Sequence, residues 1–300
     1  MNELALWPTA LEALQALASH YGPAMDEAAA EVGLASPAWY GWLLPALAFE
    51  PDPMSTDRLR VRSPYVAPQL VDERLQDAAE AGFLLPVAEG EYRLTDDRGR
   101  QAAHRVIEAA YARMAPLQPL PSDDLERLAD LLGRLVRSCL AAPEPPGKWS
   151  ITHSRRVDPG PGAPVVVRID QALSDLAAYR DDAHLAAWAP QAVDAHAWEA
   201  LTTLWRGEAA TPDELAAKLA RRGHSAAAYG AALDDLSRRG WVAGDAGGYR
   251  VTPAAAEMRQ AAEALTDRLF YAPWACLDPP EAGELEDLLV RFGAGLRQTA

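Results

Sequence analysis

Two segments of the 300-residue chain repeat one pattern of residues. LQDAAEAGFLLPVAEGEYRLT occupies residues 75–95, and LDDLSRRGWVAGDAGGYRVT occupies residues 233–252. Each is a helical pattern that ends in glycine, followed by an aromatic residue, a glycine-containing turn and Tyr-Arg-aliphatic-Thr. Glycine favours the left-handed conformation that ends many helices, and the alternation in the last four residues is typical of a strand. Each segment therefore predicts a helix followed by a β-hairpin.

The same order of elements continues after both hairpins. Long helices are predicted over residues 101–114 and 255–271, and each leads into a proline-containing break. The helices that follow have leucine at every third or fourth position, which predicts one buried face on each of them. So many features in one order predict an internal duplication.

Helix-turn-helix patterns precede both hairpins. In the second copy, Thr211 is predicted to cap a helix that has proline at its first position, and Gly223 to make the turn into the next helix. The predicted helices are 39–49, 56–62 and 66–81 in the first copy and 196–205, 211–222 and 225–239 in the second. Three helices with a hairpin make a winged helix. The predicted fold is thus mainly α with small β-hairpins: two tandem winged-helix modules joined by a short α/β connector.

The connector divides the chain into three parts. Module 1 is predicted over residues 1–140, the connector over 141–189 and module 2 over 190–300. Proline and glycine make the start of the connector loop-like, around strand-like stretches at 148–157 and 165–169. From residue 170 to residue 188 the pattern is helical.

Composition excludes several classes of protein. The chain has 28 Lys+Arg against 43 Asp+Glu and a formal charge of −15, which argues against nonspecific coating of nucleic acid. Its 2 cysteines provide neither a disulfide framework nor a four-ligand zinc site by themselves. The first residues lack the basic start of a secretory signal, and no apolar run is long enough to span a membrane. We expect a cytoplasmic protein with no membrane partner and no cofactor.

The first hairpin resembles the winged-helix domain of MarR-type transcriptional regulators. In that family the return strand ends in Leu-Thr, two further residues and Gly-Arg, and then enters a long dimerisation helix. Residues 94–100, LTDDRGR, match this pattern with one extra residue, whereas the second copy, VTPAA, lacks the glycine. The resemblance implies a regulatory protein that binds double-stranded DNA, a small-molecule effector, or both. Trp39 and Trp42 are predicted core residues, with an effector pocket between the helices as the alternative.

Candidate DNA contacts lie on the second and third helices and on the wings. They are Arg58, Arg60, Arg62, Gln69, Arg74 and Arg93 in the first copy and Lys218, Arg221, Arg222, Tyr229 and Arg250 in the second. The third helices also carry many acids, so the alternative is that these arginines are solvated side chains paired with nearby carboxylates. An acidic winged-helix scaffold that binds a protein partner or self-associates is therefore the second functional hypothesis.

The connector holds a second polar cluster. Its members are His153, Arg155, Arg156, Arg168, Asp170, Arg180, Asp181 and His184. Asp181 and His184 share a helical face, so a metal or acid–base site around these two, His153 and Asp170 is the third hypothesis. An arginine–aspartate network between the modules is the structural alternative, and an anionic ligand near residues 155–168 is another. Because the sequence lacks GxSxG, GxxxxGK[ST] and GxGxxG motifs, the main hypothesis is a non-enzymatic regulator with no catalytic and no metal-binding residues.

Overall fold

The computed structural model describes residues 6–34, 37–245 and 247–298, which form thirteen α-helices and five short strands. The first half contains α1 (Leu6–Glu31), α2 (Leu43–Phe49), β1 (Met54–Ser55), α3 (Thr56–Arg60), α4 (Pro68–Glu80), β2 (Leu84–Ala88), β3 (Glu91–Leu94), α5 (Gly99–Met114) and α6 (Ser122–Ala141). The second half contains α7 (Trp149–Ser154), α8 (Val165–Trp188), α9 (Ala195–Trp205), α10 (Pro212–Lys218), α11 (Ala226–Arg238), β4 (Val242–Asp245), β5 (Gly248–Val251), α12 (Pro253–Tyr271) and α13 (Pro279–Gln298). Short 3-10 helices cover Pro37–Gly41, Arg155–Val157, Ala189–Gln191, Ala220–Arg222 and Ala272–Cys276. The predicted fold class, mainly α with small β-hairpins, is confirmed.

The two hairpins are closed by the same hydrogen bonds. The Thr95 hydroxyl donates to the carbonyl of Gly82 over 2.9 Å, and the Thr252 hydroxyl donates to the carbonyl of Gly240 over 2.9 Å. Both glycines have positive φ, 78° and 73°, which a residue with a side chain rarely adopts. The predicted order of helix, glycine and hairpin is therefore present twice, while the duplication itself stays a prediction.

A third strand completes the first winged helix and was not predicted. β1 pairs antiparallel with β3, with Met54 opposite Tyr92, so the strand order is β1-β3-β2. The second module keeps one bond of this pairing, from the amide of Tyr249 to the carbonyl of Ala210 over 2.7 Å. The N-cap of α3 is Ser55, one residue before the predicted helix start.

The strands predicted in the connector are wrong. Residues 149–157 form α7 and a 3-10 turn, and residues 165–169 begin α8. Buried Asp182 accepts hydrogen bonds from the backbone amides of Ser150 (2.8 Å) and Ile151 (3.0 Å), which caps the start of α7. The valines at the start of α8 favour a strand by intrinsic propensity, but their burial against the helical core outweighs it.

Buried side chains form two clusters that cross the predicted domain boundaries. The larger contains α1, α2, α5, α6, most of α8, the end of α12 and α13, together with the first hairpin. The smaller contains the end of α8, α9, α10, α11, the second hairpin and the start of α12. The leucine faces of α6 and α13 are both buried in the larger cluster, as the spacing predicted. The division at residues 140 and 189 stays a prediction.

One carboxyl group in the larger core, that of Asp170, is buried with little around it to stabilise its ionised form. Asp170 on α8 hydrogen-bonds the Tyr21 hydroxyl of α1, and its Oδ1 atom is buried without a hydrogen-bond partner among the described residues. Burial raises the pKa of Asp170 to about 7, although the hydrogen bond from Tyr21 opposes this shift. The native state therefore holds a proton on Asp170 at pH values where the unfolded chain has lost it.

We expect Asp170→Asn to become more stabilising, relative to the wild type, as the pH rises. Because the pKa of Asp170 is raised on folding, its contribution to stability is present below pH 4 and is lost as the pH rises toward 7. The neutral amide has no such loss, so the difference in unfolding free energy should grow by about 2–4 kcal/mol between pH 4 and pH 8. Urea unfolding at several pH values measures it.

Tyr21→Phe provides the matched test, because it removes the hydrogen bond that lowers the pKa of Asp170. It should steepen the loss of stability with pH in the wild-type background and have no pH-dependent effect in Asp170→Asn. A stability difference for Asp170→Asn that is the same at pH 4 and pH 8 would contradict the assignment.

Candidate functional site

The two helix-turn-helix turns lie against each other. The amide of Ala67, just before α4, donates to the carbonyl of Arg222 over 2.8 Å. Nε2 of His224 lies 2.9 Å from the carbonyl oxygen of Tyr65. Gly223 has φ +77°, and a Cβ atom there would lie 2.7 Å from Cδ2 of Leu70. The other module thus covers the N-terminal end of α4 at Ala67 and Leu70, while Gln69 at the same end stays exposed. This end is the part of a third helix that reads DNA in such folds.

Tyr65 is the centre of this contact. Its hydroxyl accepts a hydrogen bond from Nε1 of Trp188 over 3.0 Å, and the Arg222 guanidinium lies 5.3 Å from its ring centroid. Arg222 also forms an ion pair with Glu199 at 2.6 Å, and both side chains are largely buried. Burial raises the pKa of Tyr65, so its hydroxyl stays protonated. Because Glu199 also belongs to the second module, this ion pair fixes the guanidinium that lies against Tyr65 of the first module.

A cavity of about 510 Å³ lies beside this contact, and we call it the aromatic cavity. Its aromatic walls are Tyr40, Phe49, Tyr65 and Trp149, and its polar lining includes Arg62, Ser63, His153, Ser154, Asp181 and Arg222. Trp39 and Trp42, the predicted alternative for an effector pocket, are buried in the core and do not line it. Apolar walls with a few polar groups are typical of small-molecule sites.

His153 is part of the aromatic wall. Its ring stacks on Trp149 with centroids 3.8 Å apart and lies 4.8 Å from the ring of Phe49. Burial lowers the pKa of His153, so the ring is neutral at pH 7. Nδ1 lies 3.1 Å from the Trp149 carbonyl oxygen, which can only accept, so Nδ1 carries the proton and Nε2 is left as an acceptor.

The Arg62–Asp181 ion pair joins the segment after α3 to α8 at the rim of the cavity. Nε of Arg62 lies 2.9 Å from Oδ2 of Asp181, and the two side chains are 41% and 48% exposed. Ion pairs this exposed contribute at most about 1 kcal/mol. A ligand that competes for either group therefore displaces the pair at little cost.

The other members of the connector cluster contact separate parts of the chain. Asp170 bonds Tyr21, Arg155 pairs with Asp175 (2.9 Å), Arg156 donates to the carbonyls of Ala48 and Phe49, Arg168 pairs with Glu126 (2.7 Å), Arg180 pairs with Asp267 (2.9 Å) and His184 contacts Thr266 (3.3 Å). Asp170 and His184 are 14 positions apart on one helix, which is about 21 Å along its axis.

The hypothesis of one metal or acid–base site built from His153, Asp170, Asp181 and His184 is therefore wrong. Within the described ranges, no group of three or more His, Cys, Asp or Glu side chains is arranged to hold a metal ion. Arg155, Arg168 and Arg180 instead form separate ion pairs, and an arginine–aspartate network that joins the two modules stays a prediction.

The structure separates the candidate DNA contacts into a buried side chain, side chains with partners within the chain, and exposed side chains. Tyr229 is wrong as a contact because its side chain is fully buried in the smaller core. The following residues have partners or neighbours within the chain: Arg58 (carbonyl of Pro53), Arg60 (carbonyls of Pro64 and Val66), Arg62 (Asp181), Arg74 (beside Gly41), Lys218 (Glu208), Arg222 (Glu199) and Arg250 (Asp245). Gln69, Arg93 and Arg221 are exposed, and neither arginine has an ion pair within the described ranges.

Sequence reasoning missed two acids that position α7. Asp175 is fully buried and binds Ser154, Arg155 and Gln171, while Asp182 caps α7. They are seven positions apart and so share the buried face of α8. Two acids seven positions apart among apolar residues are a pattern from which a pair of buried acids on one helical face could have been predicted.

Comparison with known proteins identifies the family to which the chain belongs. Residues 87–300 match the sequence model of a helix-turn-helix family, and since this is more than half of the chain, the chain belongs to that family. The search of curated proteins and the search of solved structures gave no match. None of the described helices is long and apolar enough to cross a membrane.

We expect Gly223→Ala to destabilise the protein more than Gly207→Ala. Both glycines have positive φ, +77° and +69°, so both changes carry the same backbone strain of about 1–2 kcal/mol. Only the Cβ at position 223 meets Leu70, which should add about 1–3 kcal/mol of overpacking. Chemical denaturation measures both variants.

Leu70→Ala identifies the contact responsible. It removes the atom nearest to the new Cβ but leaves its own Cβ at 3.0 Å, so it should recover part of the stability lost in Gly223→Ala and none of that lost in Gly207→Ala. Equal losses at positions 207 and 223 would mean that the turns do not pack as described.

Proposed function

We propose that this chain is a non-enzymatic regulatory protein of the helix-turn-helix family and that it binds a small effector in the aromatic cavity. The observation that carries the proposal is a cavity of about 510 Å³ that is lined by residues of the first module, by residues of the connector and by Arg222, with four Phe, Tyr or Trp rings among its walls. Family membership supports a regulatory role over an enzymatic one. A closer relation to the MarR type is part of the proposal and rests on residues 94–100.

The lining favours a planar, mainly apolar effector with one or two polar groups. Tyr40, Phe49 and Trp149 present ring surfaces for stacking. Nε2 of His153 can accept a hydrogen bond from a ligand, and a ligand can replace Asp181 as the partner of Arg62 at little cost in free energy. Such a ligand would touch Tyr65 and Arg222, the residues that join the two turns, so its binding would change how firmly the modules are docked.

Titration with anilinonaphthalene sulfonate, an aromatic dye with one sulfonate group, tests the cavity. Leu59 lines the cavity, so Leu59→Trp should fill part of it and weaken dye binding by about tenfold or more. Leu85→Trp is the matched control because Leu85 lies on β2 and is 54% exposed. Dye fluorescence on the folded protein is the measurement.

The Leu85→Trp protein is expected to bind the dye as the wild type does. Dye affinity that is equal in Leu59→Trp and the wild type, with both proteins folded by circular dichroism, would rule out the aromatic cavity as the binding site.

DNA binding is a second candidate function, supported by the family and by exposed cations. Arg93 on the first wing and Arg221 beside the second turn are exposed, and Arg238 is 75% exposed. The turn around Gly223 packs on one side of the N-terminal end of α4 and would obstruct its entry into a major groove, so we propose that DNA binding needs the two turns to separate. A duplex would then select the separated state.

Gly223→Ala, which loosens the docked turns, is expected to bind duplex DNA more tightly than the wild type or Gly207→Ala. The measurement is a titration with genomic fragments at about 50 mM and 200 mM salt, because phosphate contacts weaken steeply with salt. No complex at the lower salt for any of the three proteins would remove DNA as a ligand. The acidic scaffold for a protein partner or self-association would then be favoured, since α4 exposes Asp72, Glu73 and Asp77.

A further inference from the structure

A second cavity, of about 550 Å³, lies on the other side of Tyr65 and Asp181 from the aromatic cavity. α8, α9, α10 and α12 form its walls, and Trp7 and Leu11 of α1 also contribute. We call it the cationic cleft because its lining includes Arg180, Arg206, Lys218, Arg221 and Arg259. Five cations around one cleft are unusual in a chain with a formal charge of −15.

The acids of the cleft do not neutralise all of these cations. Each lining acid has its own cation: Asp181 with Arg62, Glu199 with Arg222, Glu208 with Lys218 and Glu263 with Arg259. Arg206 and Arg221 are exposed and form no ion pair with a residue in the described ranges. Two guanidinium groups are therefore free to bind an anion from solution.

Arg259 is held in place from three sides. Its side chain is nearly fully buried, and its Nε donates to the Thr202 hydroxyl over 2.8 Å. The guanidinium carbon lies 5.1 Å from the ring centroid of Trp198 and 5.4 Å from that of Trp205. A buried guanidinium with a single carboxylate partner keeps a strong field toward the cleft, because the surroundings screen it poorly.

His184 is located among these charges. Its Nδ1 lies 3.3 Å from the Thr266 hydroxyl, which itself donates to the carbonyl of Ala262, so Nδ1 carries the proton of the neutral ring. Burial lowers the pKa of His184, and nearby guanidinium groups lower it further, while Glu263 acts in the opposite direction. Those guanidinium groups belong to Arg259, Arg180 and Arg206. The neutral ring of His184 thus adds no charge, and the excess positive charge of the cleft comes from Arg206 and Arg221, which have no ion pair within the described ranges.

We propose that the cationic cleft binds a small anion with two or more negative charges on phosphate or carboxylate groups. Arg206 and Arg221 would bind it from the exposed rim, and Arg259 would attract it from the buried wall. Guanidinium groups suit such a ligand because each can donate two parallel hydrogen bonds to one oxyanion. This site is separate from the aromatic cavity, so the proposal does not depend on the effector.

Calorimetric titration at low salt with pyrophosphate and, separately, with citrate tests the site and distinguishes phosphate from carboxylate ligands. Arg206→Ala and Arg221→Ala should each weaken binding of the preferred anion by about tenfold, the loss expected for one charged hydrogen-bonding partner. Both residues are exposed, so these changes spare the core. Arg238→Ala is the control, because Arg238 is exposed on α11 and does not line the cleft; it should leave the affinity within about twofold.

Ring signals of the histidines in an NMR titration report the position of the anion. A bound anion offsets the field of the three arginines, so the pKa of His184 should rise when pyrophosphate or citrate is added, and His184→Gln identifies the signal. Leu59→Trp, which fills the aromatic cavity, should bind the anion as the wild type does. The proposal is overturned if neither anion gives saturable binding, if Arg238→Ala weakens binding as much as Arg206→Ala, or if only duplex DNA binds.

Discussion

The docking of the two turns through Tyr65 and Arg222 is the contact on which the rest of the structure depends. The Arg222 carbonyl fixes Ala67 at the start of α4, while its guanidinium lies over Tyr65 and pairs with Glu199. Breaking one partner of so buried a pair leaves the other charge uncompensated, which is costly. That pair lies within the second module and keeps the guanidinium in place against Tyr65. The contacts of Arg222 with Tyr65 and Ala67 then hold the modules in one arrangement, in which part of the N-terminal end of α4 is covered.

Both cavities lie against that contact, because Tyr65 lines each of them. Tyr65 and Asp181 line the aromatic cavity on one side and the cationic cleft on the other, so they form a shared wall. Among the described residues, Asp181 forms its ion pair with the exposed Arg62. A ligand that takes Arg62 away leaves Asp181, which already lines the cleft, without its ion-pair partner, and its charge would then oppose an anion there more strongly. Two ligands, one in each cavity, would therefore weaken each other's binding, and linkage makes that effect reciprocal.

The elements that the sequence predicted correctly are held by interactions between residues that are close together in the chain. The hairpins and their glycines were predictable because the bonds that close them join residues 12 or 13 positions apart, and the capping box of α10 lies within four residues. The connector was mispredicted because the cap of α7 comes from Asp182, 31 and 32 positions away. Tyr229 was misplaced because a tyrosine on an amphipathic third helix suits either face. The docked turns, with Ser63 and Arg222 159 positions apart, left no trace in any local pattern.

The placement of charge bears on which partner the docked form can accept. DNA binding needs cations on the face of the third helix, but α4 exposes Asp72, Glu73 and Asp77 there, and α11 exposes Asp234. Arg206 and Arg221 of the second module, which have no ion pair within the described ranges, instead line a concave cleft. A concave site with low-dielectric walls concentrates its field on a small ion, whereas a duplex is too wide to enter it. In the docked arrangement the charges of this chain therefore suit a small anion better than a duplex, which agrees with the proposal that DNA binding needs the two turns to separate.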